Sequence, residues 1–172
     1  MLINKDQITL IRENKICLIK NFVSLERDYD FNLISKLMEE NDLKVIQKTA
    51  AGNLREVFQA LKVSNTLKEF KTFFDFLTKL FRYKRDPRDE IDLFFSLVSL
   101  VGSAHIDEED VFILGLKGKT IYRVFDTEDK DYHIEEGDMI FIPQGVKHKV
   151  IGMSPRIIAS IGFFGKRDIV NE

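Results

Sequence analysis

Turn chemistry breaks the second half of the chain every few residues, and this restricts the fold more than any other feature of the sequence. From residue 90 onward, strand-like segments of four to nine residues follow one another: Phe94–Val101, Val111–Leu116, Thr120–Phe125, Tyr132–Glu135, Met139–Ile142, Lys147–Ile151 and Arg156–Phe164. Between most of them stand Gly118, Thr127 to Asp131, Gly137, Pro143 to Gly145, and Gly152 to Pro155. Glycine reaches backbone conformations that strain other residues, and proline withholds a ladder donor, so these residues end strands rather than continue them. Of nine glycines only Gly52 precedes residue 100; the other eight fall between Gly102 and Gly165. Many short strands at this spacing predict a sandwich or barrel of the jelly-roll kind, with a change of architecture near residue 100.

The first half has a different texture. A short helix over residues 6–14 leads into a buried strand at Lys15–Phe22, an apolar run flanked by charge. Asp28–Asn41 carries Phe31, Leu33, Ile34, Leu37 and Met38 at helical spacing. Leu43–Gln47 reads as a strand, Ala50–Asn53 as a turn and Leu54–Val63 as a helix. The clearest helix spans Asn65–Tyr83, where Leu67, Phe70, Phe74, Leu77 and Phe81 form one stripe that Phe73 and Phe76 widen. Pro87 disfavours helical geometry in Asp86 and stops it. The stripe packs on the rest of the domain or forms a homodimer interface, since a helix face paired with its own copy is a common route to a twofold dimer. At 172 residues the chain reads as one domain (1–172), with a helix-rich part over 1–90 that holds an opening strand, and a β core over 91–165.

Composition removes several function classes. Twenty-six basic against 28 acidic residues give a net charge of −2, which argues against a generic polyanion binder. A single cysteine, Cys17, excludes an intramolecular disulfide framework and any multi-cysteine metal site, and it fits a reducing compartment. The first residues, Met1-Leu-Ile-Asn-Lys-Asp6, lead into no apolar signal segment. The longest apolar run, Ile91–Val101, is 11 residues with Asp92 inside it, too short to cross a bilayer. The expectation is a cytoplasmic protein without a membrane partner. Lys79, Arg82, Lys84, Arg85 and Arg88 read as the solvated end of a helix, or as a patch that steers an anionic partner such as a nucleic acid.

Two signatures in the β half carry chemistry. His105-Ile-Asp107 is an H-x-D at a strand edge; strand residues i and i+2 share a face, so imidazole and carboxylate can converge on one ion. Gly137-Asp-Met-Ile-Phe-Ile-Pro143-Gln-Gly145-Val-Lys-His148 spells G-D-x4-P-x-G-x2-H: a turn, a buried strand, a sharp corner and a histidine delivered at the start of the next strand. The third histidine, His133, reads as a hydrogen-bonded core residue, and Glu108, Glu109 and Asp110 as a solvated turn.

In this order and 43 residues apart, the two signatures resemble the paired motifs of the cupin superfamily. The finer text, HIDEEDVFILGLKGKTIYRVF, GDMIFIPQGVKH and a closing strand with SIGFF, is most similar to the jumonji-type cupin hydroxylases, which include ribosomal-protein, asparaginyl and tRNA-base hydroxylases. The resemblance covers residues 90–165, extends loosely to 13–24 and does not reach 25–90. It implies a double-stranded β-helix, the jelly-roll cupin barrel, covered by N-terminal helices. It also implies that His105, Asp107 and His148 are metal ligands. Two imidazoles and one carboxylate form a facial triad that leaves positions open and suits non-haem Fe(II), with Mn, Zn and Ni as alternatives. In that family 2-oxoglutarate is the co-substrate whose decarboxylation drives hydroxylation of a C–H bond.

One departure stands out. A buried co-substrate carboxylate needs a cation, and the family usually places Lys or Arg two residues after the glycine of a G-x-K/R-x-W segment. Here that segment is Gly118-Lys119-Thr120-Ile121-Tyr122, so Thr120 holds the cation's position and Tyr122 that of the tryptophan. Alternation puts Thr120, Tyr122 and Val124 on one face and Lys119 on the other. Three arrangements compete: a bulge turns Lys119 inward; Arg156, on the strand after His148, supplies the charge; or 2-oxoglutarate is not used. Thr120 and Tyr122 can offer hydroxyls to any polar ligand. The expectation is an Fe(II)- and 2-oxoglutarate-dependent oxygenase acting on a small-molecule, peptide or nucleic-acid substrate. The alternatives are a metal-binding cupin without oxidative turnover, and a non-oxidative cupin such as an isomerase or epimerase.

Overall fold

The structure is a computed structural model that describes residues 1–41, 45–49, 56–60, 68–96, 101–126 and 128–167. Among the described residues, helices α1 (Lys5–Arg12), α2 (Phe31–Asn41) and α3 (Lys68–Phe81) accompany ten strands: β1 (Cys17–Ile19), β2 (Val45–Thr49), β3 (Glu56–Ala60), β4 (Glu90–Ser96), β5 (Asp110–Lys117), β6 (Thr120–Phe125), β7 (Asp129–Ile134), β8 (Met139–Ile142), β9 (His148–Gly152) and β10 (Arg156–Phe163). The strands end where the turn residues stand. Gly118 and Gly137, at the β5–β6 and β7–β8 turns, hold φ of +74° and +82°. A side chain at Gly118 would also place its Cβ 2.2 Å from the Pro155 carbonyl oxygen, so that turn closes only around glycine.

Seven strands form one sheet in the order β1-β8-β5-β10-β4-β3-β2, and three form a second in the order β7-β6-β9. Every pairing is antiparallel. Residues 101–105 run beside β9 through bridges Val101–Ile151 and His105–His148, and so extend the smaller sheet. This is the jelly-roll arrangement expected of the β half.

Strand alternation sorts the apolar residues into two layers. Phe112, Leu114, Phe141, Ile157, Ala159, Ile161 and Phe163 face outward from the large sheet and meet the helices. Val111, Ile113, Ile140, Ile142 and Ile158 face the other way and meet Tyr122 and Ile134 of the small sheet. The phenylalanine stripe of α3 is spent on the first layer: Phe70, Phe73, Phe74, Leu77 and Phe81 are buried, with Phe74 stacked on Phe163 at 4.8 Å and Phe81 on Phe112 at 5.5 Å. The stripe therefore packs on its own chain and does not present itself to a second copy.

Several expectations need correction. The helix foreseen at Leu54–Val63 is, over its described part, strand β3, hairpin partner of β2 and neighbour of β4. Local helix propensity is a weak preference, and the backbone donors and acceptors of β4's edge outweigh it. The N-terminal part is thus more than helical cover, since β1, β2 and β3 all belong to the large sheet. The turn foreseen at Thr127–Asp131 is shorter, because Asp129–Asp131 already pair with Phe125–Arg123. The turn at Ala50–Asn53 lies outside the described residues, as do Leu67 and the start foreseen for α3. The basic cluster is partly neutralised: Arg85 lies 2.7 Å from Asp75 and over the Phe74 ring, and Arg88 lies 2.9 Å from Asp86. Among the described residues no helix is long and apolar enough to cross a membrane.

The aspartate of the second motif is a structural anchor. Asp138 is buried, and its carboxylate accepts from the backbone N–H groups of Asn21 and Glu135, both at 2.9 Å, and from the Lys20 ammonium. It ties the β7–β8 turn to the chain leaving β1. Asp138→Ala leaves those backbone donors without an acceptor, and we expect a loss of about 2–4 kcal/mol in a denaturant titration. Lys20→Met should cost under about 1 kcal/mol, because the Lys20 ammonium is half exposed.

Candidate metal centre

The two histidines meet because two chain segments pair. The backbones of His105 and His148 exchange hydrogen bonds in both directions at 2.9 Å, which sets their rings 4.5 Å apart. Asp107, two residues along, shares the face of His105. The Nδ1 atom of each imidazole lies 3.0 Å from the carbonyl oxygen two residues earlier, that of Ser103 for His105 and of Val146 for His148. A carbonyl can only accept, so each Nδ1 carries a proton, and in the neutral ring each Nε2 then presents a lone pair. His105 Nε2 lies 3.6 Å from Asp107 Oδ1, and His148 Nε2 lies 3.4 Å from Oδ2.

Three electron-pair donors from His105, Asp107 and His148 thus fall within 4.8 Å of one another. Neutral imidazole lone pairs aimed at a carboxylate repel it unless a cation lies between them. The donor set, two nitrogens and one carboxylate with each Nδ1 held from behind, fits a divalent transition metal. His148 is 2% exposed. Burial pushes its pKa below the usual histidine range, opposed by its bond to the Val146 carbonyl and by the Asp107 charge, with His105 reinforcing the fall. The His105 side chain is 49% exposed, so one side of the centre opens to solvent.

The pairing of β6 with β9 sets the wall next to the centre. Val124 opposes His148 and Tyr122 opposes Val150, placing the Tyr122 ring 6.3 Å from that of His148. Thr120 and Tyr122 are both buried, on the inward face as alternation requires. Lys119 points outward, exposed, with its ammonium 3.0 Å from Glu135, so no bulge turns it in. The register irregularity lies elsewhere, between Ile157 and Ile158 where β10 meets β5, one residue from Arg156. Arg156 is 4% exposed, and its Nη1 has no hydrogen-bond partner among the described residues. Burial weakens the guanidinium's hold on its proton, with Tyr122 opposing that effect, yet an arginine remains a cation in any such setting. Burial lifts the Tyr122 pKa; the Arg156 charge lowers it and the Asp107 charge raises it, so the phenol lies within the field of both.

Other residues sit differently from their sequence reading. His133 is exposed on the outer face of the small sheet rather than in a core. Glu109 is half-buried, with its Cγ 3.3 Å from where a Cβ on Gly162 would stand. Burial, and then the Asp107 charge, raise its pKa. Asp110 is no solvated turn: it accepts from the Gln144 backbone N–H at 2.9 Å and the Tyr83 hydroxyl at 2.8 Å, and lies 3.2 Å from Arg167. Its partners lie 27 to 57 residues away, beyond any local pattern.

No protein-family model and no curated protein sequence matches this chain. Solved structures do. The Escherichia coli ribosomal oxygenase YcfD is 18% identical with a TM-score of 0.71, over 98% of this chain and 53% of that one. In complex with cobalt and 2-oxoglutarate, YcfD gives a TM-score of 0.62 at 18% identity, over 90% of this chain and 49% of that one. SnoK, a non-haem α-ketoglutarate-dependent carbocyclase from nogalamycin biosynthesis, is 11% identical with a TM-score of 0.69, over 94% and 84% of the two chains. A 2OG-Fe(II) oxygenase family oxidoreductase from Burkholderia pseudomallei is 12% identical with a TM-score of 0.61, over 97% and 95%. The chain spans about half the length of YcfD. At these identities the likeness establishes the fold: the chain is a double-stranded β-helix, the jelly-roll on which the 2-oxoglutarate oxygenases it is similar to are built.

Proposed function

We propose that the protein is an Fe(II)- and 2-oxoglutarate-dependent oxygenase that hydroxylates a C–H bond. The observation that carries this reading is the buried guanidinium of Arg156, with a nitrogen unpartnered among the described residues, on the interior face that also holds Tyr122 and the His105, Asp107, His148 trio. An unpaired cation inside a barrel is costly, and an entering carboxylate would satisfy it. Fe(II) would be held by the Nε2 atoms of His105 and His148 and by the Asp107 carboxylate; when bound, it supplies the redox chemistry that uses O2 to convert 2-oxoglutarate to succinate and CO2 while one oxygen atom enters the substrate.

The chain's own residues do the rest. The Arg156 fork donates to the distal carboxylate of the co-substrate, in the bidentate geometry that guanidinium and carboxylate favour. The Thr120 and Tyr122 hydroxyls add hydrogen bonds, and the raised pKa of Tyr122 keeps its proton available for donation. The dry wall of Ile113, Ile140 and Ile158 strengthens these contacts by excluding water. The cation thus comes from β10, while Thr120 occupies the β6 position where the resembled hydroxylases carry theirs. Substrate, whether small molecule, peptide or nucleic acid, enters from the exposed side of His105. A cytoplasmic setting, reducing enough to keep iron ferrous and Cys17 a free thiol, suits this chemistry.

The test is thermal unfolding with Mn(II), with and without 2-oxoglutarate. A ligand at 100 times its dissociation constant adds about 2.7 kcal/mol, or roughly 5–10 °C for a chain of this size. We expect a metal-dependent rise and a further rise with 2-oxoglutarate only when metal is present. A metal-dependent rise alone would favour a cupin without oxidative turnover. Lys119→Ala should leave both rises unchanged, since that ammonium faces solvent.

A further inference from the structure

We propose that Asp110, braced by Tyr83 and Arg167, is a positioning residue that sets the spacing between the two halves of the metal centre. The donor trio is divided between two segments, 103–107 and 146–148. Three kinds of link hold these together: the backbone exchange between His105 and His148, the Gly145 N–H donating to the Asp107 carbonyl oxygen at 3.1 Å, and the Gln144 N–H donating to Asp110 Oδ1 at 2.9 Å. The last is the one a side chain makes. It grips the corner Pro143-Gln144-Gly145, which delivers His148.

Asp110 cannot act as a ligand itself. Alternation puts it on the outer face of β5 with Phe112 and Leu114, away from the interior that Val111 and Ile113 face. On that outer side its second oxygen accepts the Tyr83 hydroxyl at 2.8 Å and lies 3.2 Å from the Arg167 Nε. The brace is rigid. Tyr83 stacks on Phe163 at 4.2 Å, the Arg167 guanidinium lies 5.3 Å from the Phe141 ring centre, and Arg167 also donates to the Ile11 carbonyl and the Asn14 side chain. The Asp110–Arg167 pair is largely buried, with 13% and 8% of the two side chains exposed. A carboxylate held this way accepts a charge-assisted, shorter and stronger bond from Gln144 than a neutral group would. Partners that bond a metal ligand directly are worth roughly 10- to 100-fold in metal affinity when removed; Asp110 holds the corner that carries His148 rather than His148 itself, so its effect falls at the low end.

The inference rests on the proposed metal centre, and its test separates the two. Co(II) is titrated into folded, metal-free protein and followed by its visible absorption, with far-ultraviolet circular dichroism confirming the fold of each variant. We expect Asp110→Ala to weaken Co(II) binding about tenfold, the low end of that range. Asp110→Asn, which keeps an oxygen for the Gln144 N–H, should recover most of that loss, and Tyr83→Phe should give a smaller loss than alanine. A purely structural role would lower the melting temperature yet leave the affinity of the folded protein at the wild-type value; that result overturns the proposal. Should Asp110→Ala fail to fold, Tyr83→Phe decides: wild-type affinity overturns the proposal, reduced affinity supports it. If the wild-type protein does not bind Co(II), the metal reading falls and takes this inference with it.

Discussion

Replacing Arg156 with methionine is expected to abolish the 2-oxoglutarate-dependent rise in melting temperature, leave the metal-dependent rise intact, and make the ligand-free protein more stable. All three follow from one guanidinium. It is 4% exposed and has a nitrogen with no partner among the described residues, so the ligand-free fold is expected to bear the cost of a desolvated charge. Methionine fills similar length without that charge, and exchanging buried ionic groups for apolar ones is often stabilising; we expect about 1–3 kcal/mol. The proposed metal donors are separate residues, so metal binding should persist. Calorimetry of both proteins with Mn(II), with and without 2-oxoglutarate, measures each part. A co-substrate rise retained in Arg156→Met would show that the carboxylate is held elsewhere. A large destabilisation of the ligand-free variant would mean that the guanidinium is already satisfied in the resting protein.

Asp107→Ala should remove the metal-dependent rise altogether, and with it the co-substrate effect. The carboxylate stands between the two Nε2 atoms, at 3.6 and 3.4 Å, and is the one anionic member of the trio. Without it two neutral imidazoles remain, one of them half exposed, and the rise of several degrees expected at saturating Mn(II) should fall to nothing. Asp107→Asn sharpens the test. Its amide can donate to one of the facing lone pairs, so the metal-free protein should melt no lower than wild type while metal binding is lost. Equal stabilisation of the wild type and both variants by Mn(II) would show that the ion binds elsewhere.

The parts of the fold that were legible in the sequence are those that local chemistry determines. Gly118, Gly137 and the Pro143–Gly145 corner end strands by their own backbone preferences, and β6 and β8 fall where alternation and apolar runs place them. The phenylalanines of α3 announce a helix by their spacing, though not what covers them; that depends on Phe112 and Phe163, more than 30 residues away. The local preference of the β3 segment points to a helix, whereas the edge of β4 decides for a strand. The trio was legible because H-x-D uses strand alternation and His148 closes a dense motif. That Lys119 faces solvent and Arg156 the interior is not legible, since it turns on which face of each strand lines the barrel. Asp110 was invisible for a stronger reason: its character comes from Tyr83, Gln144 and Arg167, none of them near it in sequence.

The most direct test is an anaerobic titration of 2-oxoglutarate into the Fe(II)-loaded protein, followed by visible absorption. An α-keto acid that chelates Fe(II) gives a charge-transfer band that neither component gives alone. The arrangement of His105, Asp107, His148 and Arg156 predicts a saturable band in the wild type, no band in Asp107→Ala, and a band only at much higher 2-oxoglutarate concentration in Arg156→Met. Wild-type protein that binds Fe(II) yet shows no band at any 2-oxoglutarate concentration would contradict the assignment of this barrel as a 2-oxoglutarate oxygenase.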